Sequence, residues 1–145
     1  MHTRELKNEM SDLCKKVLPV CIDFDGTCVR HCYPFIGEEN EHCVEVLKKW
    51  VDAGVGLILD TMRSGKELDE AVKWFEEREI PLYGIGTNPT QSSWTKSNKA
   101  YGVFSVDDRN IGTPLIYDEV RSRVDWKRID EEYSEYICNL AKNCK

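Results

Sequence analysis

Four aspartates carry the chemistry that this sequence could do. Asp23 and Asp25 follow an apolar run over residues 18–24, and Asp107 and Asp108 follow another over 102–106. Thr61 closes a third apolar run, residues 56–61. Carboxylates delivered by separate strand ends to one rim repel each other, so something cationic must hold them together. Oxygen donors without a neighbouring histidine favour a hard cation, and Mg²⁺ is the usual partner where phosphate is involved. Lys96 and Lys99, just upstream of the 102–106 run, offer a second positive charge. Taken singly, each Asp could merely cap a helix or close a turn, and Asp25 before Gly26 suits a turn well. Four acids at strand ends ask for more than turns.

Strands must place those ends. The 18–24 run is continuously apolar and partly β-branched, as expected of a strand buried on both faces. Residues 28–37 read as a loop, and 38–53 as a helix with Cys43, Leu47, Trp50 and Val51 on one stripe and Gly54 as its stop. A strand over 56–61 follows, then a helix over 64–77, where Ser64 and Glu67 make a capping-box pattern. Residues 81–85 and 102–106 read as third and fourth strands, with a polar loop over 86–98 between them and a fifth strand over 114–117. Trp126, Ile129, Tyr133, Tyr136, Ile137 and Leu140 mark a C-terminal helix, and Leu6, Met10, Leu13 and Val17 an N-terminal one. Alternating strands and helices predict an α/β fold with a mostly parallel, Rossmann-like sheet in three layers, helices on both faces. Ligands of such sheets bind beyond the carboxyl ends of the strands, where the aspartates fall.

Composition narrows the function classes. The 145 residues fit a single domain with an N-terminal extension over 1–17. Twenty basic against twenty-six acidic side chains leave a net charge of −6, which disfavours extended binding to a nucleic-acid backbone yet permits a local phosphate site. No apolar run is long enough to span a bilayer, and residues 1–16 lack the apolar block of a secretory signal. With seven cysteines, an odd number, the expectation is free thiols in the cytoplasm.

At this point the motifs resemble a known family. Val20-Cys21-Ile22-Asp23-Phe24-Asp25-Gly26-Thr27 looks like the first motif of the haloacid dehalogenase-like superfamily of phosphotransferases, and Leu57-Ile58-Leu59-Asp60-Thr61 resembles the second. Lys99 fits the third, and the run from Val103 to Asp108 the fourth, all in family order. Small capless hydrolase-like members of bacteria and phages are similar through Tyr33-Pro34, Thr61-Met62-Arg63 and Asn88-Pro89-Thr90-Gln91. The resemblance implies a Mg²⁺-dependent phosphomonoester hydrolase. Asp23 would be the nucleophile, forming an aspartyl-phosphate. Asp25 would be the general acid and then base. Asp23 and Asp108, the Asp25 backbone carbonyl and, through a bound water, Asp107 would hold the metal. Thr61 and Lys99 would bind phosphate, with Lys96 as the competing lysine. Arg63 would grip a second anion or pair with Glu67.

The segment between Asp23 and Thr61 is too short for a cap domain, so an open site is expected. That suits a phosphorylated small molecule or the phosphorylated end of a macromolecule, a polynucleotide 3′-phosphate being the sharpest case. Arg30 and His31 read as solvated, Asn110 and Gln91 as loop polar groups, and Trp94 as a residue that could line the site. Cys28, His31, Cys32, His42 and Cys43 have a loose zinc-like spacing, but Cys43 is wanted on its helix's apolar stripe. A non-catalytic phosphate- or Mg²⁺-binding module is the alternative class. A response-regulator receiver does not fit, because its acids and lysine come in another order.

Overall fold

The computed structural model describes residues 17–119 and 121–144, so the expected N-terminal helix lies outside the described residues but for Val17. The chain runs β1 (Leu18–Ile22), α1 (Cys43–Ala53), β2 (Val55–Leu59), α2 (Gly65–Glu77), β3 (Gly84–Ile85) and β4 (Phe104–Val106). A hairpin of β5 (Leu115–Tyr117) and β6 (Ser122–Val124) follows, then α3 (Trp126–Ile129), a π turn (Asp130–Ser134) and α4 (Glu135–Asn143).

The main sheet is parallel, with order β3-β2-β1-β4. Strands are added outward on one side of β1 and then on the other, so the switch in strand order falls between β1 and β4. Register sharpens this. Ile22 pairs with both Leu59 and Val106, so Asp23, Asp60 and Asp107 leave the sheet at one level. The fold is thus α/β, a parallel sheet flanked by helices, with no cap among the described residues.

Leu18, Val20 and Ile22 of β1, Leu57 and Leu59 of β2, and Leu47, Trp50, Phe75 and Trp126 from the helices form the core, each almost wholly buried. Burying side chains of this size stabilises by about 1.5–3 kcal/mol apiece. The helix expected over 38–53 starts only at Cys43, because Glu39 bridges to Val29 and His42 takes a left-handed conformation. Gly54, also left-handed at φ 119°, ends it as its lack of a Cβ allows. Ser64 occupies the N-cap of α2 but its side chain makes no cap hydrogen bond, so the expected capping box does not form. The third and fourth strands are shorter than their apolar runs, and β6 completes a hairpin that the sequence shows only as a fifth strand.

The C-terminal stripe also shifts. Trp126, Ile129, Ser134, Ile137, Ala141 and Cys144 are buried, whereas Tyr133 and Tyr136 are exposed. The extra residue of the π turn moves the inward positions on by one after Ile129. Ser134 thereby accepts a 2.9 Å hydrogen bond from the Trp50 indole and ties α1 to the C-terminal helix.

Candidate functional site

The turn after β1 builds the site. Asp23 N–H donates to Val106 O at 3.0 Å, extending the β1–β4 ladder one step beyond the sheet. The Phe24 carbonyl then collects the N–H groups of Thr27, Cys28 and Val29. Gly26 makes the bend at φ 83°, and a Cβ there would collide with His31 Nε2 and Asp108 Oδ2. Two buried side chains fasten the turn from below. Trp126 Nε1 and Asn40 Nδ2 both donate to Thr27 O, at 2.7 and 2.9 Å, and Asn40 also donates to Val124 O at 2.8 Å.

Three of the expected acids come together. Asp23, Asp107 and Asp108 each place one oxygen within 4.8 Å of the others'. Thr27 Oγ1 donates to Asp23 Oδ2 at 2.9 Å and accepts from Asp108 N–H at 3.2 Å. Burial pushes the Asp23 carboxyl up to about 8, with Asp107 and Asp108 adding repulsion and the Thr27 bond opposing it. Asp107 is raised too, by burial first. Asp108 Oδ1 is buried and has no hydrogen-bond partner among the described residues. An all-oxygen trio of mutually repelling groups, one with an orphaned buried lone pair, fits a hard divalent cation. His31 is a correction to the reading from sequence: it is largely buried, not solvated, and its Nε2 lies 2.8 Å from Asp108 Oδ2. Its signal was faint, a histidine five residues beyond Gly26 in a loop of unknown path.

Asp25 goes elsewhere. Its two oxygens accept from Arg63 Nε at 2.7 Å and Nη2 at 2.8 Å. Arg63 also donates to the backbone carbonyls of Pro34, Phe35 and Glu67. The guanidinium has five N–H groups, and these five bonds use them all. It sits against the Phe24 and Tyr33 rings, 5.1 and 5.2 Å from their centroids, almost fully buried. Arg63 therefore has no donor left for a substrate anion, and it meets the backbone rather than the carboxylate of Glu67. The Asp25 carboxylate is likewise outside the acidic trio, which leaves only its backbone carbonyl for a metal role.

Thr61 Oγ1 accepts from Arg63 N–H at 3.1 Å, one residue beyond the level of Asp23. Lys96 and Lys99 are both exposed, with no ion pair to a described residue. Lys99 lies close enough to β1 to act on the Cys21 thiol, lowering it, although burial still pushes that thiol up to about 11. Gln91, read from sequence as a loop polar group, is buried. It donates to the carbonyls of Ser97 and Lys99 and accepts from Tyr101 N–H, so it fixes the backbone from which Lys99 projects. Trp94 packs edge-on against Tyr101. Asn110 is exposed beyond Asp108. The zinc-like set is not gathered at one point: Cys28 is buried with its Sγ donating to Asp23 O, Cys43 is in the core, Cys32 is exposed, and His31 faces Asp108.

No protein-family model and no curated protein matches the chain. Among solved structures, the conserved protein coded by a locus of Bacteroides thetaiotaomicron is similar, with a TM-score of 0.69 and 35% identity over 83% of this chain and 92% of that one. Among the described residues, no helix is long and apolar enough to cross a membrane.

Proposed function

We propose that this chain, which belongs to the family of the conserved Bacteroides thetaiotaomicron protein, is a Mg²⁺-dependent phosphomonoester hydrolase acting through an aspartyl-phosphate. The observation that carries the reading is the convergence of Asp23, Asp107 and Asp108 where strand order switches. The haloacid dehalogenase-like motif order supplies the roles. Asp23 attacks phosphorus in line, the leaving oxygen departs, and water then cleaves the acyl phosphate to return Asp23 and release phosphate. Asp23, Asp108 and the Asp25 carbonyl, with Asp107 beside them, would hold Mg²⁺, which would supply charge neutralisation. Thr27 orients Asp23, Thr61 and Lys99 take phosphoryl oxygens, and Asp25 manages the proton. Because Arg63 grips both Asp25 oxygens, Asp25 must swing off that pair to reach a leaving group, and the substrate's arrival is the natural trigger. Cys21, Cys28, Cys32, Cys43 and Cys138 carry free thiols, which accords with a reducing cytoplasm.

The test is phosphate release from small esters, nucleotides and 3′-phosphorylated oligonucleotides with and without Mg²⁺, with Asp23→Asn alongside. Turnover that needs Mg²⁺ and disappears in Asp23→Asn is the expected result. A folded protein that binds Mg²⁺ yet releases phosphate from nothing would overturn the hydrolase reading and favour a binding module.

A further inference from the structure

Beside the acidic trio lies a cavity of about 380 Å³, walled by the loop after the first motif and by the β5–β6 hairpin. Its lining includes Arg30, Arg121, Arg123 and His31, against Asp118 and Glu119. On a chain of net charge −6, three guanidiniums against two carboxylates leave this lining one positive charge in excess. His31 joins the two places, because the same side chain that lines this cavity touches Asp108. The hairpin wall is indexed to the nucleophile turn: Val124 N–H donates to Gly26 O at 2.9 Å, and Asn40 ties Val124 O to Thr27 O.

The cationic groups are not fully matched. Arg123 is more than nine-tenths buried, yet its Nε has no hydrogen-bond acceptor among the described residues, and neither has the buried Nε of Arg30. Arg121 is exposed and makes no ion pair with a described residue. Glu41 is shared between Arg30 at 3.2 Å and Arg123 at 3.6 Å, and Asp118, from the hairpin tip, faces Arg123. Asp118 and Glu41 are placeholders in kind: carboxylates set against guanidiniums whose donors they do not exhaust. Arg121, exposed at the cavity and unpaired among the described residues, is the guanidinium left to meet an incoming anion.

We infer that this cavity takes a second anionic group of the substrate, a carboxylate or phosphate, beside the phosphoryl group that Asp23 attacks. The proposal rests on the hydrolase reading and narrows its substrate class to phosphate monoesters bearing another negative charge. A cavity this small, with acids in its wall, fits one such group and not a track of backbone phosphates.

The test compares 3-phosphoglycerate with glycerol 3-phosphate, which differ at the end remote from phosphorus, in the native protein and in Arg121→Gln and Arg30→Gln. The native protein should prefer the carboxylate-bearing ester by roughly tenfold in kcat/KM, mainly through KM, and the preference should fall toward parity in both variants. Equal kcat/KM for the two esters, or a preference that survives both substitutions, overturns the proposal. If neither ester turns over, the wider ester panel decides the hydrolase reading, and calorimetric binding to Asp23→Asn decides the cavity separately. There, roughly tenfold weaker binding of 3-phosphoglycerate after the added Arg121→Gln change supports it. No binding, or binding indifferent to that arginine, overturns it.

Discussion

Asp23 and Asp25 are two residues apart, and the protein treats them in opposite ways. Asp23 is half-buried beside two other carboxylates, with a hydroxyl as its side-chain hydrogen-bond donor, and is pushed up to about 8. Asp25 faces a buried arginine that meets both of its oxygens and spends its remaining donors on backbone carbonyls. The left-handed Gly26 and the three N–H groups converging on Phe24 O lie just beyond and swing the chain away between them. The first carboxylate is left electrostatically unbalanced and the second is balanced completely. Imbalance marks the group waiting for a ligand. Balance marks the group that, at rest, belongs to the scaffold.

The strongest way to break this comparison is Asp23→Asn. It should lower turnover by at least about a thousandfold, since it removes the nucleophile. It should also raise the melting temperature of the metal-free protein at pH 8. The sign follows from linkage: the folded Asp23 keeps its proton up to about pH 8, whereas an unfolded Asp loses it near 3.9. Its stability contribution is therefore greatest below about pH 4 and is lost as pH rises toward 8. Asparagine, which never ionises, escapes that loss. Thermal unfolding in a chelator at pH 5 and 8 checks it, and a lower melting temperature for Asp23→Asn at pH 8 would remove the imbalance from the argument. Arg63→Met attacks the balanced partner instead. It strands a buried carboxylate and three carbonyls, and should destabilise by about 3–5 kcal/mol in urea titrations. Adding Asp25→Asn should return part of that; if it returns nothing, the pair is not the reason for the loss.

How much of this was legible beforehand follows the same division. The strand ends could be read because apolar runs stop where acids begin, and strand register then carries Asp23 and Asp107 to one level without further information. Asp108 follows from Asp107. The partners of Asp25 could not be read, since Arg63 reaches it across 38 residues of chain and through backbone carbonyls that have no sequence signature. His31 was misjudged for a related reason: a short loop's path depends on one bridge, Val29 to Glu39, and one glycine, neither of which shows in periodicity. The π turn is similar, as a single inserted residue redirects Tyr133 and Tyr136 without altering the apolar pattern. Local pattern locates elements, whereas side-chain partners of high sequence separation depend on packing.

Smaller effects sharpen the contrast. Millimolar Mg²⁺ should raise the melting temperature by several degrees at pH 8 and by little at pH 5, because at pH 5 the proton on Asp23 competes for the same oxygen. Asp107→Asn should shrink that gain. An equal gain at both pH values would place the cation elsewhere. The smallest expected stability effect belongs to the lysines. Lys96 and Lys99 are both exposed, so replacing either with Met should move stability by no more than about 0.5 kcal/mol. Turnover should separate them. Lys99 projects from backbone that Gln91 fixes, close enough to β1 to be felt by Cys21, so Lys99→Met should lose roughly ten- to a hundredfold in kcat/KM. Lys96→Met should lose little. The reverse ranking would assign the phosphate to Lys96 and show that the fixed backbone, not the lysine it carries, is what Gln91 is there to hold.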